Sequence, residues 1–301
     1  PQLYDTGLNE LKVEIPEIAF DQVSTLDDPA FSAKNAKMGL WEPIRFVWSV
    51  PAGFYFLQPY NRNKIPVVFV HGASGHPGIW KFLVERLDCN KFQPWVFYYP
   101  SGLRIGDLGE WMSAQLYQLQ GRYGFKQVYI VAHSMGGLVS RFAVNDLIKK
   151  ERGHFIKLFV TLSTPWGGQE MAKKGVQLSP VVIPSWHDMN PDSDLLKELF
   201  ATPLPGSLPF SLFFGYRNTG LLPADSSDGV IALQSLLRSE AQRAAANVFG
   251  FDADHTSILE DELVSRQLNL ILEKRQSEKS RCNVNHHDPP ERKQELKENK
   301  N

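Results

Sequence analysis

Strand-length apolar runs alternating with helix-period stretches from about residue 65 to 272 predict an α/β fold, with a mostly parallel central sheet flanked by helices. Two further observations point the same way. Several of the apolar runs lack polar alternation, as strands covered on both faces do. The 301 residues are 43% hydrophobic and 22% charged, an ordinary balance for a globular chain long enough to bury a full core.

The strands read as Pro66–Val70, Trp95–Tyr99, Val128–Ala132, Lys157–Leu162, Phe210–Tyr216 and Ala246–Phe249, all rich in Val, Ile, Phe and Tyr. Helical stretches lie between and after them at Ile79–Leu87, Leu108–Leu119, Gly136–Lys149 and Ile258–Leu272, each with apolar residues three and four apart. The rhythm breaks once, between Leu162 and Phe210. That stretch contains Pro180, Pro184, Pro191, Pro203, Pro205 and Pro209, and about 167–205 reads as a lid or cap over the C-terminal edge of the sheet. A plain structural excursion is the alternative.

Three regions result. Residues 1–60 form an N-terminal extension, wrapped on the core or partly loose over 1–40. Its aromatic-rich part, 41–60, suggests strand packing or, alternatively, a membrane-surface contact. Residues 61–272 form the main α/β domain. Residues 273–301 are nearly all polar and read as a disordered charged tail.

Charge and composition exclude several classes. Lys and Arg total 32 against 33 Asp and Glu, so the chain lacks the basic surplus of a dedicated nucleic-acid binder. Two cysteines exclude a disulfide scaffold or a Cys-rich zinc module. No clustered His, Asp or Glu spacing calls for a metal, and no cofactor motif stands out; none is expected. No apolar run reaches the roughly 18 residues that a spanning helix needs. The sequence opens at Pro1 rather than Met, so an upstream segment is expected. A signal or anchor there would make the chain exported or membrane-associated; otherwise it is cytoplasmic. Oligomeric state has no sequence signal.

The chemistry concentrates at Val128-Tyr129-Ile130-Val131-Ala132-His133-Ser134-Met135-Gly136-Gly137-Leu138. An apolar strand runs into a helical pattern through a serine flanked by small residues. Such a serine is held above the sheet on a sharp turn, with a helix N-terminus behind it. Ala132 stands where glycine is usual and adds one methyl group.

With Val68-Phe69-Val70-His71-Gly72, Leu162-Ser163-Thr164-Pro165-Trp166-Gly167-Gly168, Ser227-Asp228-Gly229-Val230 and Asp254-His255, this segment resembles the α/β-hydrolase superfamily. More narrowly it is similar to the lipase and esterase branch, which includes bacterial triacylglycerol lipases and GPI inositol-deacylase-like proteins. The resemblance spans about 60–272. It implies an α/β-hydrolase fold with a nucleophile at Ser134 and chain order serine, acid, histidine.

His255, on a loop between a strand and a helical pattern, is then the general base. The acid is Asp228, which precedes Gly-Val as in the lipase pattern, with Asp225 as its rival. Asp252 and Asp254 read as loop and turn residues. The oxyanion donors are the backbone N–H groups of Met135, next to the nucleophile, and, by resemblance, Ala73. His71 braces the loop. Trp166 and Trp186 are the candidate substrate-binding residues, alternatively members of the lid's own small core.

The expected function is hydrolysis of carboxylic esters, lipid-like ones in particular, through an acyl-enzyme. An acyltransferase on the same triad and a non-catalytic hydrolase-like binding module are the alternatives. The triad also leaves amide and thioester substrates open.

Overall fold

The computed structural model describes residues 18–170, 172, 183–217 and 226–284, with 278–284 described by backbone alone. Eight strands form one sheet: β1 (Ala19–Val23), β2 (Gly53–Phe56), β3 (Ile65–Val70), β4 (Phe92–Tyr98), β5 (Val128–His133), β6 (Ile156–Leu162), β7 (Phe210–Gly215) and β8 (Asn247–Phe251). Their spatial order is β1-β2-β4-β3-β5-β6-β7-β8, and every neighbouring pair is parallel except β2–β4. The central strands β3 and β5 are buried along their whole length. Helices α4 (Ile105–Tyr123) and α5 (Met135–Lys149) pack with each other on one face. Helix α3 (Lys81–Glu85) and the long α10 (Glu262–Val284) contribute Leu83, Val264, Leu268 and Leu272 to the core on the other.

The N-terminal extension departs from the sequence reading. Its described part belongs to the sheet: β1 pairs with β2, and β2 pairs with β4. Strand β1 escapes a search for apolar runs because only Ala19 of Ala19–Val23 is buried, as suits an edge strand. Between the two strands lie α1 (Ala33–Trp41) and α2 (Pro43–Ser49), so the aromatic-rich segment is half helix. Helix α1 starts at the N-cap Ser32, whose hydroxyl accepts from Asn35 N–H, and α2 starts with Pro43.

The tail boundary at 273 also moves. Helix α10 runs through it, held by the buried stripe Val264, Leu268 and Leu272 and by Arg275, whose Nε donates to the Lys157 carbonyl at 2.9 Å. The disorder expected further on falls on 285–301, outside the described residues.

The lid region carries two short helices, α6 (Pro184–Met189) and α7 (Asp194–Glu198), while 171 and 173–182 lie outside the described residues. The described part is tied down. Met189, Leu196 and Leu199 join the core on the α4–α5 face. Buried Asp188 accepts from Ile105 N–H at 2.6 Å and pairs with Arg104 at 2.7 Å. Two smaller helices, α8 (Leu233–Leu236) and α9 (Ser239–Ala244), precede β8.

Candidate active site

Parallel strands deliver their C-terminal ends to one edge, and the singled-out residues converge there. Strand β5 ends at His133, α5 begins at Met135, and Ser134 between them has φ 54° and ψ −132°. That left-handed backbone is strained for a non-glycine residue and turns the side chain out of the sheet. The surroundings admit little else. A Cβ on Gly136 would lie 2.3 Å from the His71 carbonyl oxygen, and one on Gly137 would lie 1.9 Å from Thr164 Oγ1. The glycines after the serine therefore let helix and strands approach closely.

His255 lies between β8 and the 3-10 turn at Ser257–Leu259. Asp254 shapes this loop: its Oδ1 accepts from Ser257 N–H at 2.7 Å and Thr256 N–H at 3.1 Å. The bond from Ser257 is the main reason that its carboxyl is pulled down to about 2. Asp228 lies between β7 and α8, fully buried, and its backbone carbonyl accepts from His255 N–H at 2.7 Å.

One chain of hydrogen bonds joins the three side chains. His255 Nε2 is 2.9 Å from Ser134 Oγ, and His255 Nδ1 is 2.6 Å from Asp228 Oδ2. The other oxygen, Asp228 Oδ1, accepts from Ile231 N–H at 2.7 Å and Val230 N–H at 3.0 Å. Burial alone would raise the Asp228 pKa, but the bond to His255 and these two amides outweigh it and leave the carboxyl below its ordinary value. The rival Asp225 lies outside the described residues.

The loop after β3 closes over the serine. A Cβ on Gly72 would lie 2.7 Å from Ser134 Cβ and 3.1 Å from Ser134 Oγ. Gly75 N–H donates to the Gly72 carbonyl, and Ser74, with φ 53°, donates its N–H to Ser101 Oγ at 2.9 Å. Among the described residues, neither Ala73 N–H nor Met135 N–H has an acceptor. Both adjoin Ser134, Ala73 through Gly72 and Met135 directly.

Two further histidines complete the site. His71 Nδ1 lies 2.8 Å from the Gly72 carbonyl and its Nε2 accepts from Tyr99 N–H at 3.3 Å, an arrangement that fits only the neutral ring. His133 has no role in the sequence reading, where its one signal is adjacency to Ser134. Its Nε2 donates to the His255 carbonyl at 2.7 Å, and its ring lies 4.8 Å from that of His255. Burial lowers the pKa of both to about 3, with the neighbouring His255 adding to the effect on His133.

This burial has a sign that can be tested. An unfolded histidine takes up a proton below about pH 6.5, and these two do not while folded. Stability is therefore full above that pH and falls as pH drops from 6.5 toward 3. At pH 5 each histidine removes about 2 kcal/mol, by 1.4 kcal/mol per pH unit. The melting temperature is expected to fall between pH 7 and pH 5, and to fall less in a His71→Gln protein. Equal melting at the two pH values contradicts it.

The two tryptophans part company. Trp166 is 1% exposed and packs against Phe200 and Phe210, with centroids 5.6 Å away in each case. It belongs to the core and offers no face to a substrate, which corrects the expectation that it lines a pocket. Trp186, in α6, is partly buried and meets Trp41 of α1 edge to face at 5.5 Å. Among the described residues no group of three or more His, Cys, Asp or Glu could hold a metal ion.

Residues 105–195 match the model of the family described as Putative serine esterase (DUF676). A Schizosaccharomyces pombe protein named Putative lipase C4A8.10 is 27% identical over 153 residues, which is 40% of this chain and 18% of that protein. The chain thus spans under a fifth of the length of the curated relative it matches. Among solved structures, Bacillus licheniformis lipase BlEst2 in mature form is similar at TM-score 0.55 and 19% identity, over 73% of this chain and 97% of that one. The product of the Listeria innocua gene lin2722 is similar at TM-score 0.54 and 17% identity, over 70% and 94%.

Proposed function

We propose that this chain, which has the α/β-hydrolase fold, hydrolyses carboxylic esters with Ser134 as nucleophile, His255 as general base and Asp228 as the acid that orients it. The observation that carries this reading is the continuous hydrogen-bond chain from Ser134 Oγ through His255 to Asp228 at the end of β5. Ser134 Oγ attacks the ester carbonyl while His255 Nε2 takes its proton. The carbonyl oxygen, now negative, is held by the N–H groups of Met135 and Ala73. Each such donor is worth roughly 3–4 kcal/mol in the transition state. His255 then returns the proton to the leaving alcohol, and an acyl-serine remains. Water attacks it with His255 taking a proton from the water and then passing it to Ser134 Oγ as the carboxylic acid leaves. Asp228 keeps a proton on His255 Nδ1 throughout and stabilises the imidazolium.

The ester is lipid-like in this reading. The names of the S. pombe relative and the B. licheniformis structure support it, as does the serine esterase family matched by 105–195. A fluorophosphonate probe tests the nucleophile. Peptide mass spectrometry of the labelled protein is expected to find the adduct on Ser134; an adduct on another serine, with Ser134 unmodified, overturns the assignment.

A further inference from the structure

Helices α1 and α2 form a hairpin that is anchored on one side and, among the described residues, largely exposed on the other, where Trp41 keeps its contact with Trp186. On the inner side, Phe46 is fully buried, with its ring 5.2 Å from that of Tyr98, and Leu40 is buried. The hairpin touches the loop after β4 closely enough that a Cβ on Gly102 would lie 2.2 Å from the Leu40 carbonyl oxygen. On the outer side, Ile44 is 64% exposed, Trp41 and Trp48 are each 46% exposed, and Val47 is 39% exposed. Ile18, ahead of β1, is 58% exposed. Exposed apolar residues concentrated in this way mark an interaction surface.

The patch opens into an apolar groove of about 320 Å³, lined by Ile18, Val47, Val50, Ala52, Leu103 and Leu108. Asp107 is its single charged lining residue. The rim is basic. Lys34, Lys37 and Trp41 lie three and four residues apart on the exposed face of α1. Among the described residues neither lysine enters an ion pair, and Glu42 is engaged by Arg45 at 2.9 Å. Exposed tryptophans beside an aliphatic patch with unpaired lysines suit the boundary between headgroups and acyl chains. The negative headgroups attract the lysines, at a strength that falls off within a Debye length.

We infer that the α1–α2 hairpin docks this protein on an anionic phospholipid surface, with Trp41, Ile44, Val47 and Trp48 entering the interface and Lys34 and Lys37 against the headgroups. The loop after β4 that the hairpin rests on supplies Ser101, which holds Ser74 of the loop over Ser134. The hairpin is thus linked, through that loop, to the segment that closes over Ser134. The inference goes beyond the ester-hydrolase reading, and its test needs no turnover.

Co-sedimentation with large unilamellar vesicles tests it, using phosphatidylcholine alone and phosphatidylcholine with phosphatidylserine. The full chain is expected to bind the anionic vesicles at least 10-fold more tightly than the neutral ones. Trp41→Ser, Ile44→Ser and Trp48→Ser combined should weaken that binding at least 10-fold. Lys34→Glu with Lys37→Glu should do the same on anionic vesicles and little on neutral ones. Melting curves check that both variants fold; a variant that does not is replaced by its single substitutions. Absence of vesicle binding by the unaltered chain, or equal binding by the folded variants, overturns the inference. Equal binding to both vesicle types overturns the anionic assignment. Self-association that the serine substitutions abolish, without vesicle binding, assigns the patch to a second copy instead.

Discussion

Ser134→Ala is expected to leave the protein folded and to lower ester turnover by about 10⁴-fold or more. The substitution keeps Cβ, so the packing of Gly72 against it is preserved. It removes one hydroxyl and its bond to His255, a loss on the order of 1 kcal/mol in stability. Ser134 is also held at φ 54°, which alanine and serine tolerate about equally, so the turn has no new reason to relax. The kinetic loss is far larger because, among the described residues, the hydroxyl bonded to His255 Nε2 is that of Ser134. What remains is the contribution of the oxyanion donors and of binding to direct attack by water. The loss should therefore appear in kcat with KM little changed. A folded alanine variant with more than a hundredth of the original turnover contradicts the nucleophile assignment.

The parts of the fold that are legible in the sequence are those with a one-dimensional signature. Strands β3 and β5 are buried on both faces and leave nearly uninterrupted apolar runs. Helix α5 leaves a periodic stripe directly after them. Strand β1 leaves almost nothing, because an edge strand needs only one inward side chain. Helix α10 is legible as far as Leu272, the last buried residue among those whose burial is described, and illegible beyond, where Arg275 holds it through backbone carbonyls.

The candidate site divides along the same line. A nucleophile turn is written locally, in small residues around Ser134. The pairing of His255 with Asp228 depends on two loops meeting in space, and chain order narrows the choice without fixing it. His133 has no spacing signal, since its bond to the His255 carbonyl links residues far apart in the chain. The fate of Trp166 is set by Phe200 and Phe210, which arrive from other segments. Nearness to Ser134 in the motif pattern says nothing about which way that ring faces.

Asp228→Asn is expected to lower kcat by about 10³–10⁴-fold, as loss of the orienting carboxylate does in triads. The geometry says why an isosteric change should be so harmful. One oxygen of the buried carboxylate faces two donors, Val230 N–H and Ile231 N–H, and the other faces His255 Nδ1. An asparagine must keep its carbonyl oxygen toward the two amides, because turning its NH₂ there would bury three donors against one another. Its NH₂ then points at Nδ1 and donates to it. His255 is driven into the tautomer with its proton on Nε2, where it can only donate to Ser134 Oγ and cannot take the hydroxyl proton. The imidazolium that forms during attack loses its counter-charge as well. Stability should also fall, because the Asp228 carboxyl sits below its ordinary value. That contribution is present above about pH 4 and disappears as pH drops through the folded-state value, so the difference in melting temperature between the two proteins should narrow in acid. Steady-state kinetics at neutral pH decide the matter. An Asp228→Asn protein within tenfold of the original kcat, or an Asp225→Asn protein that is inactive while Asp228→Asn is not, transfers the role to another carboxylate.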